Sequence, residues 1–143
     1  MTTIVALKGR QQSGKTPTLK LLEQVIYNKY TGNVKILHEE RDIGASKDIF
    51  VVLKINGSLT VGIYSLGDYA DAIKVNLQKA ISMKCDIVFC ACRTRGPTVN
   101  AVKSFASSSV KISYVKRIYE TDRSKQENVN QEQVKSLMWL TQL

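Results

Sequence analysis

A chain of 143 residues has room for one domain, spanning 1–143, and 43% hydrophobic residues are enough to build its core. Its apolar runs, such as the one from Ile87 to Cys92, are far too short to cross a bilayer, and the N-terminus lacks the basic and apolar stretches of a secretion signal, so a soluble cytoplasmic protein is expected. A net charge of +9 turns attention to anionic partners: nucleotide phosphates, nucleic acid or an acidic protein.

In chain order, residues 2–7 (Thr-Thr-Ile-Val-Ala-Leu) form the apolar run of a short buried strand. The octapeptide Gly9-Arg10-Gln11-Gln12-Ser13-Gly14-Lys15-Thr16 follows. Residues 15–28 then read as a helix, with Leu19, Leu22, Val25 and Ile26 on its apolar face. Residues 34–37 are a short strand, and the polar stretch 38–47 reads as a loop. Two strands, 48–55 and 58–65, flank Asn56-Gly57, a dipeptide suited to a hairpin turn in which both positions take positive φ. Ile73, Leu77 and Ile81 make one stripe on a helix over 69–82.

Residues 86–92 read as a fully buried strand. Gly96-Pro97 opens a helix whose buried face is Val99, Val102, Phe105 and Ala106. Val110, Ile112 and Tyr114 alternate as a strand, and 119–128 is a polar loop. Asn130, with Gln133 three residues on, resembles a capping box for a last helix that buries Val134, Leu137, Met138 and Thr141. The alternation of strands and helices predicts an α/β, three-layer sandwich with a mostly parallel sheet and one antiparallel hairpin strand.

The octapeptide has the form G-x-x-x-x-G-K-S/T between a strand and a helix, the context in which that pattern binds phosphate. Backbone N–H groups of Gly9, Arg10, Gln11, Gln12, Ser13 and Gly14 can form an anion nest, reinforced by the helix N-terminus. Lys15 can reach the terminal phosphates as a mobile charge. The Thr16 hydroxyl suits Mg²⁺, a hard cation that shares its shell with phosphate oxygens. Pro17 falls in the first helical turn, where a missing N–H costs little.

Ligands of such sheets bind beyond the carboxyl ends of the strands. That rule gathers the glycine loop, Leu66-Gly67-Asp68, Arg93-Thr94-Arg95-Gly96 and Glu120 to Arg123. Asp68 is the leading metal-side carboxylate, and it is equally well placed to cap the helix at 69–82. Arg93 and Arg95 either contact phosphates or base, or are solvated surface arginines. Glu39, Glu40 and Asp42 could approach the metal if their loop folds over it. Asp86 starts its strand at the far end and is structural.

Basic charge concentrates in 1–37, with six basic residues against one acidic, and in 93–125, with eight against two. Few aromatics lie among these residues, which argues against a stacking platform for single strands. Cys85, Cys90 and Cys92, with one histidine in the chain, match no zinc spacing and read as buried free thiols.

The complete match from Gly9 to Thr16 resembles the P-loop NTPase superfamily. Beyond it, segment 38–47, the hairpin and Ser65-Leu66-Gly67-Asp68 look like the switch regions of the GTPase-like branch, where a strand ends in Asp-x-x-Gly. Here the order of residues differs. Lys116-Arg117-Ile118-Tyr119 stands where that branch carries a guanine-reading Asn-Lys-x-Asp, so ATP is expected ahead of GTP. The resemblance implies a Mg²⁺-dependent nucleotide-binding protein that hydrolyses the terminal phosphate, with Lys15, Asp68, Arg93 and Arg95 as catalytic candidates. A phosphotransferase, or a nucleotide-regulated module binding nucleic acid or protein, uses the same cradle.

Overall fold

A computed structural model describes all 143 residues. The strands are β1 (Thr2–Lys8), β2 (Val34–Ile43), β3 (Asp48–Ile55), β4 (Leu59–Tyr64), β5 (Ile87–Cys92) and β6 (Val110–Lys116), and the helices are α1 (Lys15–Lys29), α2 (Ala70–Ser82), α3 (Pro97–Lys103) and α4 (Arg123–Thr141). All the strands join one mixed sheet in the order β2-β3-β4-β5-β1-β6. β4, β5, β1 and β6 pair in parallel, whereas β3 runs antiparallel to both β2 and β4. The reversal is made at Asn56-Gly57, where both residues have positive φ, 53° and 70°.

Side chains alternate across the strands, so each face of the sheet builds its own core. On one face Val5, Leu7, Val51 and Phe89 meet Leu19, Leu22 and Ile26 of α1 and Val134 and Leu137 of α4. On the other, Ile4, Ala6, Phe50 and Val52 meet Ile73 and Leu77 of α2 and Ala101 and Val102 of α3. Burying each such leucine contributes about 1.5–3 kcal/mol. No helix is long and apolar enough to cross a membrane.

The α/β layering follows the sequence expectation, with three corrections. Residues 38–43 are not a loop but continue β2, which pairs with β3 through register shifts between Ile36 and His38 and between Glu40 and Ile43. A strand at the sheet edge needs only one hydrogen-bonded neighbour, and charged side chains there deter further pairing, so it carries little apolar alternation. α4 starts at Arg123, not after Asn130: the Asp122 side chain accepts from Ser124 N at 2.9 Å and caps it. Gln133 is accordingly a buried residue in mid-helix. α3 ends at Lys103, so Ala106 is exposed and Ala101 takes the core position.

The edge strand is tied to α1 by a charge pair. Arg41 grips Glu23 with both ends of its fork, at 2.9 and 2.6 Å, and also reaches Glu39 at 2.6 Å. Burial alone would raise the Glu23 pKa, but hydrogen bonds from Arg41 and Tyr27 more than reverse that and hold it below its ordinary value. All three cysteines are free and buried, and burial pushes Cys85 up to about 12 and Cys92 to about 11. These thiols are packing groups at neutral pH.

Leu22→Ala should cost about 2–5 kcal/mol in urea denaturation, since the side chain is wholly enclosed between α1 and the sheet. Glu23→Gln tests the charge pair. Because the folded pKa is lowered, Glu23 contributes stability above the ordinary carboxylate range and loses it as pH falls through the folded value. The deficit of the variant should be largest at neutral pH and shrink in acid; a pH-independent deficit would contradict the pairing.

Candidate functional site

β1 is flanked by β5 and β6, and both neighbours hold the loop that leaves it. Gly9 N donates to Cys92 O at 3.1 Å, and Arg117 N donates to Lys8 O at 2.8 Å. The loop then turns through Gln12 and Gly14, with φ of 58° and 91°. A Cβ on Gly14 would lie 2.4 Å from a terminal nitrogen of Arg117, and one on Gly9 would lie 2.8 Å from both Arg117 Cβ and Ser13 Oγ. Glycine is therefore favoured at Gly14 by its backbone conformation, with only the flexible end of Arg117 in the way, and at Gly9 by space, where Arg117 Cβ stands. α1 begins immediately after, with no acidic residue in its first turn. The amides of Lys15 and Thr16 have no partner within the helix and carry the positive end of its dipole.

Lys15 is buried, and its Nζ donates to Gly9 O at 2.7 Å and Arg10 O at 2.6 Å. One of its three donors remains for a ligand. Burial lowers the Lys15 pKa, and the nearby Asp68 carboxylate opposes that. Residues Gln11 to Pro17 form one wall of a cavity of about 510 Å³. Ser65, Gly67 and Asp68 line the flank beside β4, and Arg117, Tyr119, Gln126 and Asn130 line the flank beside β6.

On the β4 flank, the Thr16 hydroxyl donates to Asp48 Oδ1 at 2.8 Å. Ser65 Oγ donates to the same oxygen at 2.8 Å and accepts from Ile49 N at 2.9 Å. Asp48 is 2% exposed and stands behind Thr16, fixing its hydroxyl so that the lone pairs are left for a cation. Asp68 lies on the cavity wall itself and does not cap α2, whose cap position is Tyr69, without a side-chain cap bond. Gly67 brings it there: a Cβ at that position would meet the Ala91 backbone at 2.7 Å.

No cluster of three His, Cys, Asp or Glu side chains could hold a metal by itself. Thr16 and Asp68, with Asp48 behind, are hard oxygen donors too few for a closed cage. Such a set fits Mg²⁺, which keeps waters and shares phosphate oxygens.

The other expected residues divide. Arg93 is not on the cavity wall but touches two residues that are, with Nε 3.5 Å from Asp68 Oδ1 and a terminal nitrogen 3.3 Å from Gln11 Oε1. Arg95 is exposed and does not line the cavity. Arg10 stacks over the Tyr119 ring at 3.8 Å. Glu39 and Glu40 do not fold over the site: they pair with Arg41, His38 and Lys79 along the sheet edge, and Asp42 also lies outside the cavity wall. Asp86 is structural as expected, accepting from Thr60 N at 2.9 Å.

Four residues were missed: Asp48, Ser65, Arg117 and Asn130. Asp48 starts its strand, the wrong end by the parallel rule, but β3 is reversed and its start lies beside the end of β4. The Asn56-Gly57 turn carried that information. Arg117 leaves β6 at the ligand edge, three residues before Glu120, where the segment gathered by the rule begins.

Asp48→Ala should destabilise the fold by about 1–3 kcal/mol in urea denaturation, because the Thr16 and Ser65 hydroxyls lose a buried acceptor. An unchanged midpoint would show that those bonds add nothing.

No protein-family model matches the chain, and neither does any curated protein or solved structure, so the cavity's own residues carry the functional assignment.

Proposed function

We propose that the chain binds a magnesium nucleoside triphosphate, ATP in preference to GTP, and hydrolyses its terminal phosphate. The observation that carries this reading is the cradle itself. Unpaired α1 amides, the Lys15 ammonium and the Thr16 hydroxyl all border one cavity, with no first-turn acid to repel an anion.

Phosphoryl transfer asks a protein for position and charge more than for covalent chemistry. The loop amides would fix the phosphates. Lys15 would turn its remaining donor on the terminal oxygens and stabilise charge that builds there. Mg²⁺, when bound, draws charge from the phosphate oxygens, and Thr16 and Asp68 are the residues to hold it or its waters. Arg93, beside Asp68, is placed to add positive charge.

ATP is favoured because the guanine-reading Asn-Lys-x-Asp motif is absent after β6, where Lys116-Arg117-Ile118-Tyr119 stands, and Arg117 is turned into the loop, bonded to Ser13 O at 2.7 Å. Hydrolysis is favoured over transfer because Arg93 to Gly96, the link between β5 and α3, is too short for a lid over an acceptor.

Lys15→Ala should lower phosphate release from ATP by about 100-fold or more, because it removes a donor to the developing charge. Circular dichroism should report an unchanged fold. Release at the wild-type rate would overturn the assignment, and turnover only with an added acceptor would replace hydrolysis by phosphoryl transfer.

A further inference from the structure

The cradle is one donor short. An α-helix begins with four amides lacking intrahelical partners, but here Pro17 has no N–H to offer. The side chain packed against this loop is Arg117, 5% exposed. Its Nε donates to Ser13 O at 2.7 Å and Nη2 donates to Asn130 Oδ1, while Nη1 has no partner. Ser13, 4% exposed, has an unpartnered Oγ as well. Both residues line the cavity.

Arg117 also has no counter-ion. Arg41, its contrast in the same fold, is paired with Glu23 and Glu39, whereas no carboxylate lies within ion-pair distance of Arg117. A buried guanidinium without an anion and with an idle N–H is destabilising, and a phosphate oxygen would satisfy both deficits. Its planar fork suits phosphate better than a point charge does.

We propose that Arg117 and Ser13 form a side-chain phosphate clamp, closing on the nucleotide phosphate nearest the sugar. This rests on the nucleotide reading and adds to it which groups hold that phosphate. The position follows from the two flanks. Thr16, Asp48 and Asp68 stand on the β4 side with Lys15, where the metal and terminal phosphates belong. Arg117 stands on the β6 side, among Tyr119, Glu120, Gln126 and Asn130, where the rest of the nucleotide would leave.

The test is calorimetry with magnesium, comparing ATP with inorganic pyrophosphate, which has no sugar-side phosphate. Arg117→Met keeps the packing against Gly9 but removes the fork. It should weaken ATP by about 30-fold or more and pyrophosphate by less than about threefold, as expected for one lost charged contact. Equal weakening of both ligands would mean that Arg117 only shapes the loop, and unchanged ATP binding would mean that it touches nothing; either overturns the clamp. If circular dichroism shows Arg117→Met unfolded, Arg117→Lys carries the same comparison, with the same selective loss expected. Ser13→Ala should melt no lower than the wild type and still lose ATP affinity; unchanged affinity would remove Ser13 from the clamp. Wild-type protein that took up neither ligand would instead overturn the nucleotide reading, and the clamp with it.

Discussion

The left-handed turn at Gly14 is the constraint from which the site follows. It lets the chain leave β1, the strand between β5 and β6, and enter α1 at once, with the residues of its first turn on the cavity wall. The Arg117 guanidinium packs against the same glycine, whose positive φ a side chain would strain. Pairing of β1 with both neighbours then anchors the loop at its root, through Cys92 and Arg117.

The second organising device is the reversal of β3. In a wholly parallel sheet, the first residue of a strand lies far from the ligand edge. Here the hairpin returns Asp48 to that edge, beside Ser65, and the carboxylate orients Thr16 from behind the wall. Two carboxylates thus serve one corner differently. Asp48 is enclosed and bonded to hydroxyls, while Asp68 faces the cavity.

Much of this was legible in the residues. The octapeptide marked the strand–loop–helix corner that borders the cavity, because its glycine permits the positive φ needed at Gly14. Apolar runs and periodicity, with the Gly96-Pro97 start, placed the cores of all four helices and six strands, although only the first part of β2 was included. They failed where burial is one-sided or slight. The outer part of β2 is charged and exposed, so nothing in its pattern distinguishes an edge strand from a loop. The start of α4 was misplaced because Asn130 and Gln133 imitate a cap, while their side chains are spent on Arg117 and on the Ile118 amide. Arg117 was illegible for a different reason: its role depends on β6 lying next to β1, a fact of strand order that no local pattern states.

Arg117 and Ser13 keep polar atoms buried and unmatched in residues that line the cavity, a cost borne by the folded chain. The account stands on amides closing around a polyphosphate, and amide-proton magnetic resonance observes those groups individually. Addition of ATP with magnesium should shift the Gly14, Lys15 and Thr16 amides strongly, ahead of the rest of the chain. A spectrum in which those amides stay fixed at saturating nucleotide would contradict it.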